Sequence, residues 1–234
     1  MRLRLGMPSK GRLQQETIAW FEARGVTLAR SGGGREYRGA VGGVDGIELV
    51  LLSAAEIPRE LAAGRLHLGV TGQDLVREEI PRWEARLGEL APMGFGFADL
   101  VVAVPDFWVD VADMSDLDAA AGEFRDRHGH RLRVATKYHR LVRGFFQRHG
   151  VADYQLVESL GATEGAVKNG TAEAVADITS TGSTLRDNHL RVLEDGVILR
   201  SQATLFLARG APWDEAAGEA LAALAGRLGL AAIA

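Results

Sequence analysis

The residues best equipped for chemistry lie in one stretch, Asp177-Ile178-Thr179-Ser180-Thr181-Gly182-Ser183-Thr184-Leu185. It follows an apolar run, Ala174-Val175-Ala176, that reads as a buried strand, and it leads into Leu185–His189, which can open a helix. A strand that ends in hydroxyls around a glycine and then turns into a helix makes a phosphate cradle. The helix start leaves N–H groups unpaired, the aligned peptide dipoles favour an anion, and Ser or Thr hydroxyls add donors. Gly182 lets the backbone approach a ligand closely because no Cβ stands in the way. Asp177 repels phosphate but suits ribose hydroxyls or a metal-bridged diphosphate, so the segment points to a sugar phosphate. An ST-rich turn with an ordinary helix cap has a similar composition. The stretch lacks the Gly-Lys-Ser/Thr ending of a Walker A loop and is not a dinucleotide fingerprint.

Other candidates sit at similar junctions. Lys10-Gly11-Arg12 follows a first alternating strand (Leu3, Leu5, Met7), and two cations at a strand-to-helix turn invite an anion. Arg35 follows Ser31-Gly32-Gly33-Gly34, a glycine-hinged loop of the kind that closes over polyanions. Thr71-Gly72 is a second Thr-Gly turn after the strand Leu66–Val70, and Thr136-Lys137-Tyr138 follows the strand Leu132–Ala135. Glu158 ends a strand at Gln155–Val157. Ser53 and Glu56 have capping-box spacing, with Pro58 in the first turn of the helix they open. Leu190 to Ala208 reads as a hairpin turning at Asp195-Gly196, and Trp213 to Leu228 as a final helix.

These junctions are positioned by strands that alternate with helices, an α/β pattern with mostly parallel sheet. The chain of 234 residues can bury one large core or two small ones. Two α/β blocks with a ligand cleft between them are expected: domain I from 1–97 plus 187–234, and domain II, 98–186, carrying the hydroxyl loop. In such folds ligands gather at the carboxyl ends of strands.

Composition narrows the class. Hydrophobic content of 47% and charged content of 25% are ordinary for a globular protein. The net charge of −4, with scattered basic residues, does not suggest a nucleic-acid groove. Zero cysteines excludes disulfides and thiolate metal sites. The chain starts directly on a strand with no signal-like apolar segment, and its longest apolar runs are too short to span a bilayer. A cytoplasmic location is expected.

Taken together, the motifs resemble the ATP phosphoribosyltransferase family in its short form. Pro8-Ser9-Lys10-Gly11-Arg12-Leu13 resembles the family's opening loop, Arg35-Glu36-Tyr37-Arg38 its Arg-x-Tyr segment, and Leu68–Leu75 its Thr-Gly turn. Thr136-Lys137-Tyr138 is similar to a further motif. The most specific match is Glu164, Gly170-Thr171-Ala172, Val175 and Asp177–Leu185.

The resemblance implies a bilobal fold like type II periplasmic binding proteins, with two mixed sheets. It implies transfer of phosphoribosyl from phosphoribosyl diphosphate to N1 of ATP, the first step of histidine biosynthesis, with Mg²⁺ and no confident direct protein ligand. It also implies the absence of a C-terminal regulatory domain, and a separate regulatory subunit resembling histidyl-tRNA synthetase in a hetero-octamer. Within that frame Asp177 and Thr179–Thr184 (Thr179, Ser180, Thr181, Gly182, Ser183, Thr184) hold phosphoribosyl, with Glu158 near the ribose or Mg²⁺. Lys10 and Arg12 neutralise diphosphate or triphosphate, and Gly11, Arg35, Thr71, Gly72 and Lys137 are assigned to ATP or diphosphate. The chain departs from the family at Ser53, where many members carry an arginine thought to hold the leaving diphosphate, and at His67, where an aspartate is common. The first departure leaves that cation role to Arg59, Arg35 or the partner subunit. Two other classes stay open on the residues alone: a non-enzymatic anion-binding module of solute-binding type, and a phosphoribosyltransferase with another base acceptor.

Overall fold

The structure, a computed structural model, describes residues 2–30, 38–159, 161 and 163–230. Its elements run β1 (Leu3–Pro8), α1 (Gly11–Glu22), β2 (Thr27–Arg30), β3 (Arg38–Gly42), β4 (Ile47–Leu52), α2 (Ile57–Ala62), β5 (Leu68–Gly72), α3 (Gln73–Glu79) and β6 (Leu87–Pro92). There follow β7 (Ala98–Pro105), α4 (Met114–His128), β8 (Leu132–Thr136), α5 (His139–Arg148), β9 (Tyr154–Glu158), α6 (Gly165–Lys168), β10 (Ala174–Thr179), α7 (Ser183–Asp187) and β11 (Leu190–Ser201). The chain ends with β12 (Ala203–Ala208) and α8 (Glu215–Leu228).

These elements form two compact units, Met1–Gly96 with Gln202–Ala234, and Phe97–Ser201. The first holds a sheet of order β2-β3-β4-β1-β5-β12-β6, the second a sheet of order β11-β7-β10-β8-β9. Both sheets are mixed. Parallel pairs join β1 to β4 and β5, and β8 to β9 and β10, while the other six pairings are antiparallel.

The expected return to the first unit at residue 187 lies instead at residue 202, because β11 belongs to the second sheet. Residues 190–208 are not a hairpin: β11 pairs antiparallel with β7, whereas β12 pairs with β5 and β6. Asp195-Gly196 is a bulge inside β11, where the register with β7 jumps between Val192 and Val197. A Cβ on Gly196 would meet Leu193 Cβ at 2.9 Å and Val102 O at 3.0 Å, so glycine is what allows the bulged strand to lie this close. The Asp195 carboxylate is used too, accepting the Met114 N–H at 2.8 Å at the start of α4. A capping box completes that start, with Asp113 accepting the Asp116 N–H at 2.9 Å and Asp116 accepting the Asp113 N–H at 3.3 Å.

The first unit buries Leu3, Leu5, Met7, Leu49, Leu51, Leu68 and Val70 against Phe21 of α1 and Leu224 of α8. A second cluster packs Ile57, Leu61, Val76, Leu87 and Phe206 together. His67 is buried beside them, with a fixed tautomer. Its Nδ1 accepts the Arg4 N–H at 3.0 Å, so Nε2 carries the proton and donates to the Pro212 carbonyl at 3.2 Å. Trp213 stands edge-on to the ring at 4.9 Å. Burial pushes the His67 imidazole below its ordinary value, the Arg4 charge adds to this, and the Pro212 bond opposes it.

Because the folded chain resists protonating His67 more than the unfolded chain does, its contribution is complete above about pH 6.5 and is lost as pH falls below that. The thermal midpoint of the wild type is therefore expected to drop more steeply between pH 7.5 and 5 than that of His67→Gln. Parallel pH curves for the two proteins would show that His67 is not a source of the acid sensitivity.

Candidate functional site

Strand β10 is buried through Ala174-Val175-Ala176 and opens at Asp177 and Thr179, both half-buried, while Ile178 is 38% exposed. Leu185 of α7 packs with Val101, Ala103 and Val175, so the helix lies on the sheet face that β10 presents at its odd-numbered positions. Asp177 is on that face. Its Oδ1 accepts the Ile178 N–H at 2.8 Å.

The loop between strand and helix is shaped by its own hydroxyls. Thr179 Oγ1 accepts the Gly182 N–H at 2.9 Å, and Thr181 Oγ1 accepts the Ser183 N–H at 3.3 Å while lying 2.9 Å from Ser183 Oγ. Gly182 sits in the left-handed region at φ 70°, a conformation costly for any residue with a Cβ. Ser180 and Thr184 are exposed, and no hydrogen bond involves their hydroxyls among the described residues. Thr184 is held by its backbone, whose carbonyl accepts from Asn188 Nδ2 at 2.9 Å. Thr179 and Thr181 thus build the loop, and Ser180 and Thr184 are its outward donors.

Parallel pairing of β8, β9 and β10 brings Lys137 and Glu158 to the same end of the sheet. Thr136 is in register with Glu158 and takes the Ser159 N–H on its carbonyl at 3.1 Å. Its buried hydroxyl accepts the Tyr138 N–H at 2.9 Å, which fixes the turn. Lys137 is exposed, with Nζ 5.1 Å from the ring centroid of the buried Tyr138. Antiparallel register adds two polar positions: Asp99 stands opposite Thr179, and Arg200 opposite Asp99. Opposed residues share a sheet face, so Asp177, Thr179, Asp99 and Arg200 project from one side. Asp99 and Arg200 lie far from the loop in sequence, and only the strand register connects them to it.

In the first unit Lys10, Gly11, Arg12, Thr71 and Gly72 gather where the parallel strands β1 and β5 end, beside the end of β4. The Ser9 N–H donates to the Leu52 carbonyl at 2.7 Å, and Gly11 has φ 79°. Lys10 is exposed and has no ion-pair partner among the described residues. Arg12, also exposed, pairs with Glu16 one helical turn on, Nε to Oε1 at 2.9 Å. Thr71 is fully buried and donates its hydroxyl to the Ala54 carbonyl at 2.8 Å, so that hydroxyl is structural. Gly72 precedes α3, and the Gln73 N–H is taken by the Gln202 carbonyl at 3.2 Å.

The capping box expected at Ser53 is half made. Glu56 Oε2 accepts the Ser53 N–H at 2.9 Å, but the Ser53 hydroxyl turns to the same oxygen at 2.7 Å instead of capping the helix. Arg59, a candidate for the missing cation, is engaged bidentately by Glu79 at 2.9 and 3.1 Å. Arg35, the other candidate, lies outside the described residues. Among the described residues no three His, Asp or Glu side chains cluster as a metal site, and no helix is long and apolar enough to cross a membrane.

Residues 53–228 match the HisG family model, described as ATP phosphoribosyltransferase. A relative from Cereibacter sphaeroides, named ATP phosphoribosyltransferase, is 65% identical over 98% of this chain and 97% of its own length. A Bradyrhizobium sp. relative of the same name is 56% identical over 90% of this chain, which spans only 65% of that protein. Among solved structures, the ATP phosphoribosyl transferase (HisG:HisZ) complex from Thermotoga maritima superposes with a TM-score of 0.72 at 20% identity, covering 97% of this chain and 96% of that one. The GluR0 ligand-binding core superposes with a TM-score of 0.52 at 15% identity, covering 97% and 94%.

Proposed function

Because this chain belongs to the ATP phosphoribosyltransferase family, we propose a division of labour among its residues for the family reaction. The reaction joins ATP to phosphoribosyl diphosphate, releases diphosphate and opens histidine biosynthesis. The adenine N1 attacks the anomeric carbon as the C–O bond to diphosphate breaks. Positive charge builds on the ribose ring and negative charge on the leaving group. Such a step is served by positioning and charge stabilisation rather than by an activated side-chain nucleophile, and no general base is assigned.

The observation that carries this reading is the loop after β10. Its inner hydroxyls and Gly182 hold a turn whose remaining donors face outward, and the carboxylate of Asp177 stands one strand position behind it. Thr179–Thr184 take the 5′-phosphate, with Ser180 and Thr184 donating directly. Asp177 receives the ribose hydroxyls and stabilises the developing cation. Glu158 and Lys137, at the same end of the sheet, serve the ribose side and the acceptor. In the first unit Lys10 is the cation held ready for diphosphate or triphosphate, with Arg12 joining when it leaves Glu16. Gly11, Thr71 and Gly72 contribute backbone, since the Thr71 hydroxyl is already committed.

Mg²⁺ fits the donor set as an ion carried mainly by phosphate oxygens. It keeps most of its waters and needs one or two protein carboxylates; Asp177, beside the loop, is the acid placed to supply one, while Glu158, in register with Thr136, projects from the other face of the sheet. Bound there, it would neutralise diphosphate charge.

ATP as a substrate and the absence of cysteine accord with a cytoplasmic enzyme. The Thermotoga maritima neighbour is a two-protein complex, and a regulatory subunit resembling histidyl-tRNA synthetase, in a hetero-octamer, is the matching partner here. The test of the whole reading is the absorbance of phosphoribosyl-ATP formed from ATP, phosphoribosyl diphosphate and Mg²⁺, with and without that subunit. Product formation that rises when the subunit is added supports both proposals. Product at an unchanged rate removes the partner, and product from another base but not from ATP removes the acceptor assignment.

A further inference from the structure

Among the described residues Arg186 has no partner that explains its position. It is exposed in α7, and its guanidinium makes no ion pair or hydrogen bond among the described residues, although Asp187 is its neighbour in sequence. It is nevertheless laid against the hydroxyl loop: a Cβ built on Gly182 would lie 2.9 Å from Arg186 Nη1. Helical side chains run back over the turn that precedes them, and here that turn is the loop itself. Between Lys168 and Arg191 the chain has no other lysine or arginine. The loop's own donors are neutral, whereas a sugar 5′-phosphate carries close to two negative charges at neutral pH, with a second ionisation near 6. Hydrogen bonds from a charged donor to such an oxygen are roughly twice as strong as neutral ones.

We propose that Arg186 binds the 5′-phosphate of phosphoribosyl diphosphate. The inference rests on the assignment of residues 179–184 to that phosphate. It makes Arg186 a binding residue for the sugar phosphate and gives it no part in holding ATP.

Ribose 5-phosphate isolates the interaction because it carries the 5′-phosphate and no diphosphate. Calorimetric titration of Arg186→Gln with ribose 5-phosphate is expected to show about tenfold weaker binding, roughly the loss of one charge-assisted contact. KM for phosphoribosyl diphosphate should rise in step, KM for ATP should hold, and the thermal midpoint should be unchanged. Wild-type affinity should tighten from pH 5.5 to 7.5 as the phosphate becomes a dianion, and Arg186→Gln should lose most of that gain while Arg186→Lys keeps part of it. If Arg186→Gln binds ribose 5-phosphate like the wild type while Thr184→Val does not, Arg186 is overturned and the loop assignment stands. If both variants bind like the wild type, the loop assignment fails as well.

Discussion

Replacing Asp177 with asparagine is expected to lower turnover at least tenfold, a loss of about 1.4 kcal/mol or more of transition-state stabilisation, with the fold intact. The side chain is half-buried at the open end of β10, and among the described residues its one hydrogen bond is to the Ile178 N–H. An asparagine carbonyl can accept the same bond, so the substitution removes charge and little else. With the ribose bound as proposed, the carboxylate would face a neutral sugar in the ground state and a cation as the bond to diphosphate breaks. The effect should therefore appear in kcat more than in either KM. Turnover by the absorbance assay, with the thermal midpoint as control, checks this. Wild-type turnover would remove Asp177 from the reaction.

Thr184→Val should act on binding, and on one substrate. The Thr184 hydroxyl is exposed and has no hydrogen bond among the described residues, whereas Thr179 and Thr181 use theirs to shape the loop. Valine at 184 is close in shape and leaves the backbone bond to Asn188 in place. A hydrogen bond to a charged group contributes about 1.5–3 kcal/mol, so affinity for phosphoribosyl diphosphate should fall by roughly ten- to a hundredfold. Affinity for ATP should not change. Equal losses for the two substrates would mean that the loop has been given the wrong ligand. Thr179→Val makes the contrast, since it also frees the Gly182 N–H and should lower the thermal midpoint.

The loop was legible in the sequence because its chemistry is contiguous: acid, hydroxyls, glycine and helix start follow one another within nine residues. What lay beyond it depended on partners far along the chain. Thr71 reads like a second ligand-binding turn, and only its contact with Ala54 shows that its hydroxyl is structural. Asp195-Gly196 reads like a hairpin turn because turns and bulges draw on the same residue types. The strand partners decide between them, and they assign β11 and β12 to different sheets. Strands β2, β3 and β6 went unread for a related reason. They are short and lie at or next to a sheet edge, and β3 and β6 carry glycine or proline where alternation would have marked a strand. Arg186 drew no role from the sequence beyond a place in a helix start, and its position against Gly182 is visible only in three dimensions.

Fold likeness alone would not have separated an enzyme from a binding protein, since a ligand-binding core superposes on the chain as well. The family match makes that separation. The most direct measurement is a crystal structure of the protein soaked with phosphoribosyl diphosphate and Mg²⁺. The 5′-phosphate should lie against residues 179–184, with the ribose hydroxyls on Asp177. An empty loop, with the sugar diphosphate bound elsewhere on the chain, would contradict the account.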